Sequence, residues 1–382
     1  MATRVEVKPE LLRWAAERAR LGEAALTRRV PQFPAWESRQ SAPTLKQLEH
    51  FAAVTHTPIG YLFLTDPPVE QVPIPDFRTI SVGQPSRPSP DLLDTVFQCQ
   101  QRQEWYHDFA RGNRDDPLPF VGSLALTARV GEAATVIRDA LGFDVDERGP
   151  SWSEALRRLA EQADAIGVLV MVNGVVGSNT HRKLDPQEFR GFALVDNLAP
   201  LVFVNGADTK AAQIFTLAHE LAHIWLGESA LSDADMRSVP SNAVERWCNQ
   251  VAAELLVPLD VIREQFDNER ALTEELDRLA KRFKVSTLVV LRRVHDAGYL
   301  TWDAYQAAYR AELSRVLALL GEGAGTGGNF YNTQPVPVSK RFARAIIAST
   351  LEGQTLHRDA FQMLGFKKVS TFHELAHRLG VM

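Results

Sequence analysis

The sequence predicts a mostly helical α+β fold with one small sheet near the middle of the chain. Three observations carry that expectation. Apolar residues recur at helical spacing over most of the length, and three short Val- and Phe-rich runs bounded by Gly, Asn or Pro interrupt this pattern after residue 166. The 382 residues, 45% of them hydrophobic, exceed one ordinary core and suggest more than one domain.

Taken in order, residues 1–66 read as several short helices, from "PELLRWAAERA" through "TLKQLEHFAAVT" to "PIGYLFL". Between Pro67 and Pro90 lie seven prolines in 24 residues, which excludes regular helix and predicts an extended linker over 67–90. A helical connector follows over 91–150. It comprises a helix from Asp91 to about Gly112 and another from Ala125 to Leu141. The next segment, 151–300, opens with a helix over Ser153–Ala165 and then changes period. "GVLVMVNG" (167–174), "FRGFALVD" (189–196) and "PLVFVNG" (200–206) read as strands. Helices are expected again at 208–227, 243–256, 258–266, 272–283 and 286–297. A helix and the break "GEGAGTGGNFYNTQPVP" occupy 301–337, and a short helical segment, 338–382, ends the chain.

Composition narrows the functional classes. No run of about 20 apolar residues and no basic, apolar and small-residue series at the amino terminus is present, so neither a membrane span nor a signal peptide is expected. Cys99 and Cys248 are too few for a disulfide scaffold and suit a reducing compartment, the cytoplasm. The net charge of −5 argues against a chain-wide grip on nucleic acid.

The pentapeptide HELAH occurs twice, in "FTLAHELAHIWLG" (215–227) and "STFHELAHRLGVM" (370–382). It fits H-E-x-x-H, in which two histidines one helical turn apart hold a metal and the glutamate between them activates a water. In the first copy Asp208 is positioned to cap a helix carrying His219 and His223, about 40° apart on the helix wheel, with Glu220 one position round. A strand ends shortly before this helix, and an edge strand beside a metal can hold an extended peptide by backbone pairing.

Two histidines leave coordination incomplete. Downstream, "SNAVERWCNQVAAELLVP" offers Glu245 and Glu254 on one helix beginning after Ser241 or Asn242. Nine residues at about 100° each set the two carboxylates on opposite faces. Small neighbours on its face, Cys248, Asn249 and Ala252, favour Glu245, with Glu254 as the alternative. In the second copy only five residues follow His377, none a metal donor. Its histidines read as incidental to an apolar face of Phe372, Leu375, Ala376 and Leu379. His181, Arg190 and Tyr299 are candidates for stabilising an oxyanion. The glycine-rich "GEGAGTGG" (321–328) lacks the Lys-Ser or Lys-Thr ending of a phosphate loop and reads as linker. From Val338 onward seven Lys or Arg face three acids, which reads as a solvated helix face.

With these residues in view, the segment 151–300 resembles the ImmA/IrrE metallopeptidases, bacterial zincins that often cleave helix-turn-helix repressors. The resemblance rests on "FTLAHELAHIWLG" and on "VERWCNQVAAELLVP", with its E-x-x-C-N-x-x-A-A-x-L-L-x-P pattern. It implies a zincin-like domain in which His219, His223 and Glu245 bind Zn2+ and Glu220 is the catalytic base. Mn2+ or another divalent ion suits the same donors. Residues 1–66 are similar to the Xre-type helix-turn-helix domain. "WESRQSAPTLKQLEHFAAVTHTPIGYLFL" follows its later half, but Pro31 and Pro34 fall where the recognition helix begins. Nine Lys or Arg against seven acids there leave only Arg28, Arg29, Arg39 and Lys46 as phosphate contacts.

The reaction expected is hydrolysis of a peptide bond in a specific protein partner, as the resemblance implies a helix-turn-helix repressor or a toxin or antitoxin partner. The alternative is a regulator or antitoxin that binds DNA or protein through the same fold without cutting.

Overall fold

The computed structural model describes residues 4–76, 87–232, 242–323 and 338–382. The chain forms two compact units, one of residues 1–73 with 80–97, the other of residues 74–79 with 98–382.

The first unit holds α1 (Pro9–Arg18), α2 (Glu23–Arg29), α3 (Phe33–Glu37), α4 (Leu45–Val54) and a single-turn 3-10 helix, Ile59–Phe63. Its core gathers Leu12, Trp14, Leu26, Val30, Phe33, Trp36, Leu48, Phe51 and Leu62. The α4 helix starts at a reciprocal cap in which Gln47 N donates to Thr44 Oγ1 and Thr44 N donates to Gln47 Oε1. Pro31 and Pro34 explain α3. Proline suits the first turn of a helix and opposes extension on its amino-terminal side. The helix has five residues, about 7.5 Å of axis. Both aromatic side chains of α3 are committed inward, Phe33 stacked on Phe51 at 5.6 Å and Trp36 edge-on to it at 6.4 Å. Arg28, Arg29, Arg39 and Lys46 are exposed, and Arg39 lies 3.8 Å from Glu10.

A long helix, α5 (Pro90–Asn113), leads from residues of the first unit to residues of the second. The second unit continues with α6 (Val130–Leu141) and α7 (Trp152–Ala165). The strands are β1 (Leu169–Asn173), β2 (Val175–Val176), β3 (Asn179–Lys183), β4 (Gly191–Leu194) and β5 (Leu201–Asn205). Then come α8 (Lys210–Leu226), β6 (Ala230–Ser232), α9 (Ala243–Leu256), α10 (Leu259–Gln265), α11 (Leu272–Phe283), α12 (Thr287–Asp296) and α13 (Trp302–Gly323). The tail supplies α14 (Lys340–Leu351), α15 (His357–Leu364) and α16 (Val369–Arg378). Among the described residues no helix is long and apolar enough to cross a membrane.

Four strands form one sheet in the order β1-β5-β4-β6, with β1 parallel to β5 and β4 antiparallel to both β5 and β6. The strand just before α8 is therefore interior, not the edge expected from the sequence. The edge beside α8 is β6, three residues that follow the helix. The short pair β2–β3 stands apart as a hairpin. Alternation along the strands gives the sheet two buried faces. Val170, Ala193, Val202 and Val204 pack with Leu159, Ile214, Phe215, Leu221 and Trp225 in the main core. On the other face Phe192 and Phe203 stack at 5.0 Å. Here α5 and the tail tie to the sheet: Gln103 Nε2 donates to the carbonyls of Leu194 and Ala199, and Trp105 meets Phe342 edge-on at 5.6 Å.

The helix expected over 125–141 begins five residues later, at Val130, after an Arg129 that gives no side-chain cap. Residues 77–86 of the proline-rich linker and most of the glycine-rich break (324–337) lie outside the described residues, although α13 runs to Gly323. The tail is docked through its cations and α7: Arg341 N donates to Asp164 Oδ2 at 2.9 Å, and the Arg341 guanidinium donates to the carbonyls of Asp164 and Ala165. Ser339 Oγ also hydrogen-bonds Asp164, whose carboxyl burial pushes above its usual range.

Asp164→Ala should therefore lose about 1–3 kcal/mol through unmet partners, and it should free the tail. Urea denaturation measures the first effect and limited proteolysis within 338–382 the second; unchanged values would mean that the tail is held elsewhere.

Candidate metal centre

The α8 helix begins at Thr209, whose side chain accepts from Ala212 N, and ends at Gly227 in the left-handed conformation. Asp208, expected as the cap, instead accepts from Thr209 N at 2.7 Å and faces Arg190 at 3.5 Å. Every residue from Gln213 to Trp225 is buried. The sheet covers one side and α9 packs along another, so the polar groups of HELAH are shielded from water on all sides.

His219 and His223 are fully buried, and their Nε2 atoms lie 3.1 Å apart. Glu245, from the first turn of α9, closes the triangle. Its Oε2 is 3.2 Å from His219 Nε2 and its Oε1 3.1 Å from His223 Nε2. Among the described residues this is the group of three donors placed to share one ion. A tetrahedral ion with bonds of about 2.0–2.1 Å spaces its donors about 3.3 Å apart, so the residues fit a divalent metal. The N2O donor set suits zinc and leaves a fourth position for water or substrate.

The small side chains of α9 allow this approach, Cys248 and Ala252 being buried on the face that bears Glu245. Glu254 sits on the opposite face. It pairs with Arg293 and accepts from Leu259 N at 3.3 Å. The helix is capped by Asn242, whose Oδ1 accepts from Val244 N at 2.8 Å.

Electrostatics separate the two central carboxylates. Burial pushes Glu245 up, but the His219 and His223 imidazoles outweigh it and hold this carboxyl well below the usual range. Burial, with the Glu245 charge beside it, pushes Glu220 well above the usual range. Neither carboxylate oxygen of Glu220 meets a partner in hydrogen-bonding geometry. Ser232 offsets the rise only in part, being outweighed by the burial and the Glu245 charge; its Oγ lies 3.3 Å from Glu245 Oε1 and 3.4 Å from His223 Nε2. His223 is lowered by the same burial.

Two contributors were not foreseen from the sequence. Ser232 comes from β6, too short to read as a strand. Gly191 comes from β4, where a Cβ would lie 2.5 Å from Thr216 Cγ2, 2.8 Å from the Phe203 carbonyl oxygen and 3.1 Å from Glu220 Oε1. An isolated glycine in a strand often marks such a close approach, which was the available signal. Of the oxyanion candidates, His181 is on the exposed hairpin, Tyr299 donates to the Arg263 carbonyl at 3.0 Å, and Arg190 directly precedes Gly191. The tail pentapeptide stays apart from the centre: on α16, Phe372, Leu375 and Ala376 face inward while His377 is exposed.

A fully buried His-His-carboxylate triangle with a buried glutamate beside it is suited to hold a divalent metal. In agreement, residues 163–295 match the Peptidase M78 family, described as the IrrE N-terminal-like domain. Among curated proteins, the radiation response metalloprotease IrrE of Deinococcus radiodurans is 36% identical over 91 residues, 22% of this chain and 28% of that protein. The chain thus matches little more than a quarter of that relative's length. Residues 338–378 match a domain of unknown function, DUF8813. Residues 163–295 are thus similar to the IrrE N-terminal-like family, whereas α1–α4 lie outside both family matches.

Gly191→Ala should force Thr216 and Glu220 aside, at an overpacking cost of about 1–3 kcal/mol. Gly60→Ala, with open space around it, serves as the control. Equal unfolding midpoints for the two variants would show that β4 and α8 accommodate the methyl group.

Proposed function

We propose that the protein is a regulatory metal-dependent endopeptidase that hydrolyses a peptide bond in a specific partner protein, a repressor or antitoxin-like regulator. One observation carries the reading: three buried donors converge within bonding reach of one ion, and a fully buried carboxylate, Glu220, lies beside them. His219, His223 and Glu245 hold the ion, for which zinc is the default and Mn2+ a fitting substitute. When bound, such an ion supplies Lewis acidity, acidifying water and polarising a carbonyl.

The remaining chemistry belongs to the chain. Glu220 takes the proton of the attacking water and passes it to the leaving amine. Its buried, apolar setting raises its proton affinity, which suits a group that must first accept and then donate. Ser232 holds Glu245 and His223 in register through its hydroxyl. An extended segment of substrate pairs with the sheet edge beside α8. The place of action is the cytoplasm, and the exposed Arg28, Arg29, Arg39 and Lys46 give the first unit at most a phosphate-binding role on DNA.

A second reading, a regulator that binds its partner without cutting, draws on one observation. The outer side of β4 is already paired with β6 over Gly191–Ala193, so the edge nearest Glu220 is filled by the chain itself.

Two experiments test the proposal. Glu245→Gln should lose metal to a mild chelator faster than Glu254→Gln, while the double variant His373→Ala, His377→Ala should keep the metal content of the parent; elemental analysis reads all three. Loss of the ion from the tail variant, or faster loss from Glu254→Gln, would reassign the ligands.

For the reaction, Glu220→Gln should keep fold and ion and lower turnover at least about 100-fold. The parent and this variant are expressed with candidate partner proteins, and fragments that form only with the parent are sought by mass spectrometry. Equal binding of a partner by both forms with cleavage by neither would favour the second reading.

A further inference from the structure

The edge strand of the catalytic sheet carries a passenger. On the side of β6 away from β4, Leu231 N donates to the Pro75 carbonyl at 2.9 Å, and Asp76 bridges Leu231 in parallel orientation. The next residue of β6 is Ser232, which contacts both His223 and Glu245. The segment at Ile74–Asp76 thus lies one strand spacing from the strand that reaches the metal centre. It is an excursion of the chain: residues 74–79 belong to the peptidase unit, while the residues on both sides of them, up to 73 and from 80 to 97, belong to the other.

We propose that Ile74–Asp76 is a built-in occupant of the peptide-binding edge, a strap that a substrate must displace. The proposal rests on the peptidase reading and adds its regulation. A peptide docking by strand addition needs the same backbone groups of Leu231 that the strap uses, so the two are mutually exclusive. Three features make the strap an occupant and not a substrate. The Ile74–Pro75 link is a tertiary amide, proline offers no N–H for a second ladder bond, and the tether keeps the segment at high effective concentration. Pro75 and Asp76 are exposed. By contrast, β6 is buried throughout and paired to β4 at three positions, so the strap is the strand that yields. Because the first unit flanks the strap on both sides in sequence, a partner that reorganises that unit is placed to pull it free.

The test compares the zinc-loaded full chain with its variant carrying Ile74→Gly, Pro75→Gly and Asp76→Gly, three changes outside the core. Binding is measured by calorimetry with three probes: acetohydroxamate, which needs only the ion; a blocked apolar tripeptide hydroxamate, which needs the ion and the edge; and a synthetic peptide of sequence VPIPDF, residues 72–77. Glycine makes the segment more costly in entropy to hold extended along β6, so the variant should bind the tripeptide hydroxamate about tenfold more tightly, the equivalent of about 1.4 kcal/mol. Acetohydroxamate should bind both forms alike, and the synthetic peptide should bind the variant and not the parent. Equal affinity of the tripeptide hydroxamate for both forms, with acetohydroxamate binding both, overturns the strap and leaves the metal site standing. Cleavage of the parent within 72–77 also overturns it, by making the segment a substrate. If acetohydroxamate binds neither form, the metal reading fails, and the synthetic peptide alone decides: binding to the variant only upholds the strap, and any other pattern removes it.

Discussion

The arrangement depends on the burial of three ionisable groups at one point between α8 and α9. His219, His223 and Glu245 have almost no exposed surface, and Glu220 beside them has none. Burying charge and hydrogen-bonding capacity is costly unless the groups meet compensating partners. Glu245 and the two imidazoles compensate one another, and a divalent cation at their centre would balance the second carboxylate as well. Much of the surrounding construction follows from bringing these groups together. Gly191 lets β4 pass close beneath Thr216 and Glu220, Cys248 and Ala252 let α9 approach, and Gly227 ends α8 so that β6 can turn back to deliver Ser232.

The first unit shows a different balance. Pro34 sits in the opening turn of α3, and Phe33 and Trp36 spend that short helix on the core around Phe51. A helix that reads bases must present several side chains outward along a groove. With two of five side chains buried and a proline among the remainder, α3 has little left to present. Its place is that of an aromatic cover on the core around Phe51.

Local signals were readable in the chain, and long-range ones were not. The bounds of α9 and α11 agree with the helical period, because each has a clear apolar stripe and α9 has a side-chain cap at Asn242. The opposite faces of Glu245 and Glu254 followed from helix geometry alone, and Arg293 claims the latter. Strand order is another matter. The run 200–206 reads as a strand from its composition, yet nothing local says that β1 and β4 flank it on both sides. Three-residue β6 lies below the length at which alternation can be detected, and it owes its conformation to pairing with β4. Ser232 was hidden for that reason. The five-residue error at the start of α6 has the same origin: with no side-chain cap at Arg129, the apolar pattern ran on into the preceding turn.

The duplicated pentapeptide isolates what turns a motif into a site. Both copies are helical, and both set two histidines one turn apart. In α8 the flanking residues are mostly apolar and all buried from Gln213 to Trp225, so the sheet and α9 enclose the imidazoles and a carboxylate is delivered to them. In α16 the neighbours are Phe372, Leu375 and Ala376 on one face and Glu374 and Arg378 on the other, which pair with each other at the surface. That helix buries its apolar face and leaves His377 to solvent, where water satisfies the imidazole and no third donor converges among the described residues. Identical letters thus acquire different chemistry from the width of the apolar surface around them. A mostly apolar circumference draws the polar groups inward, where they must find one another, and a single stripe leaves them at the surface.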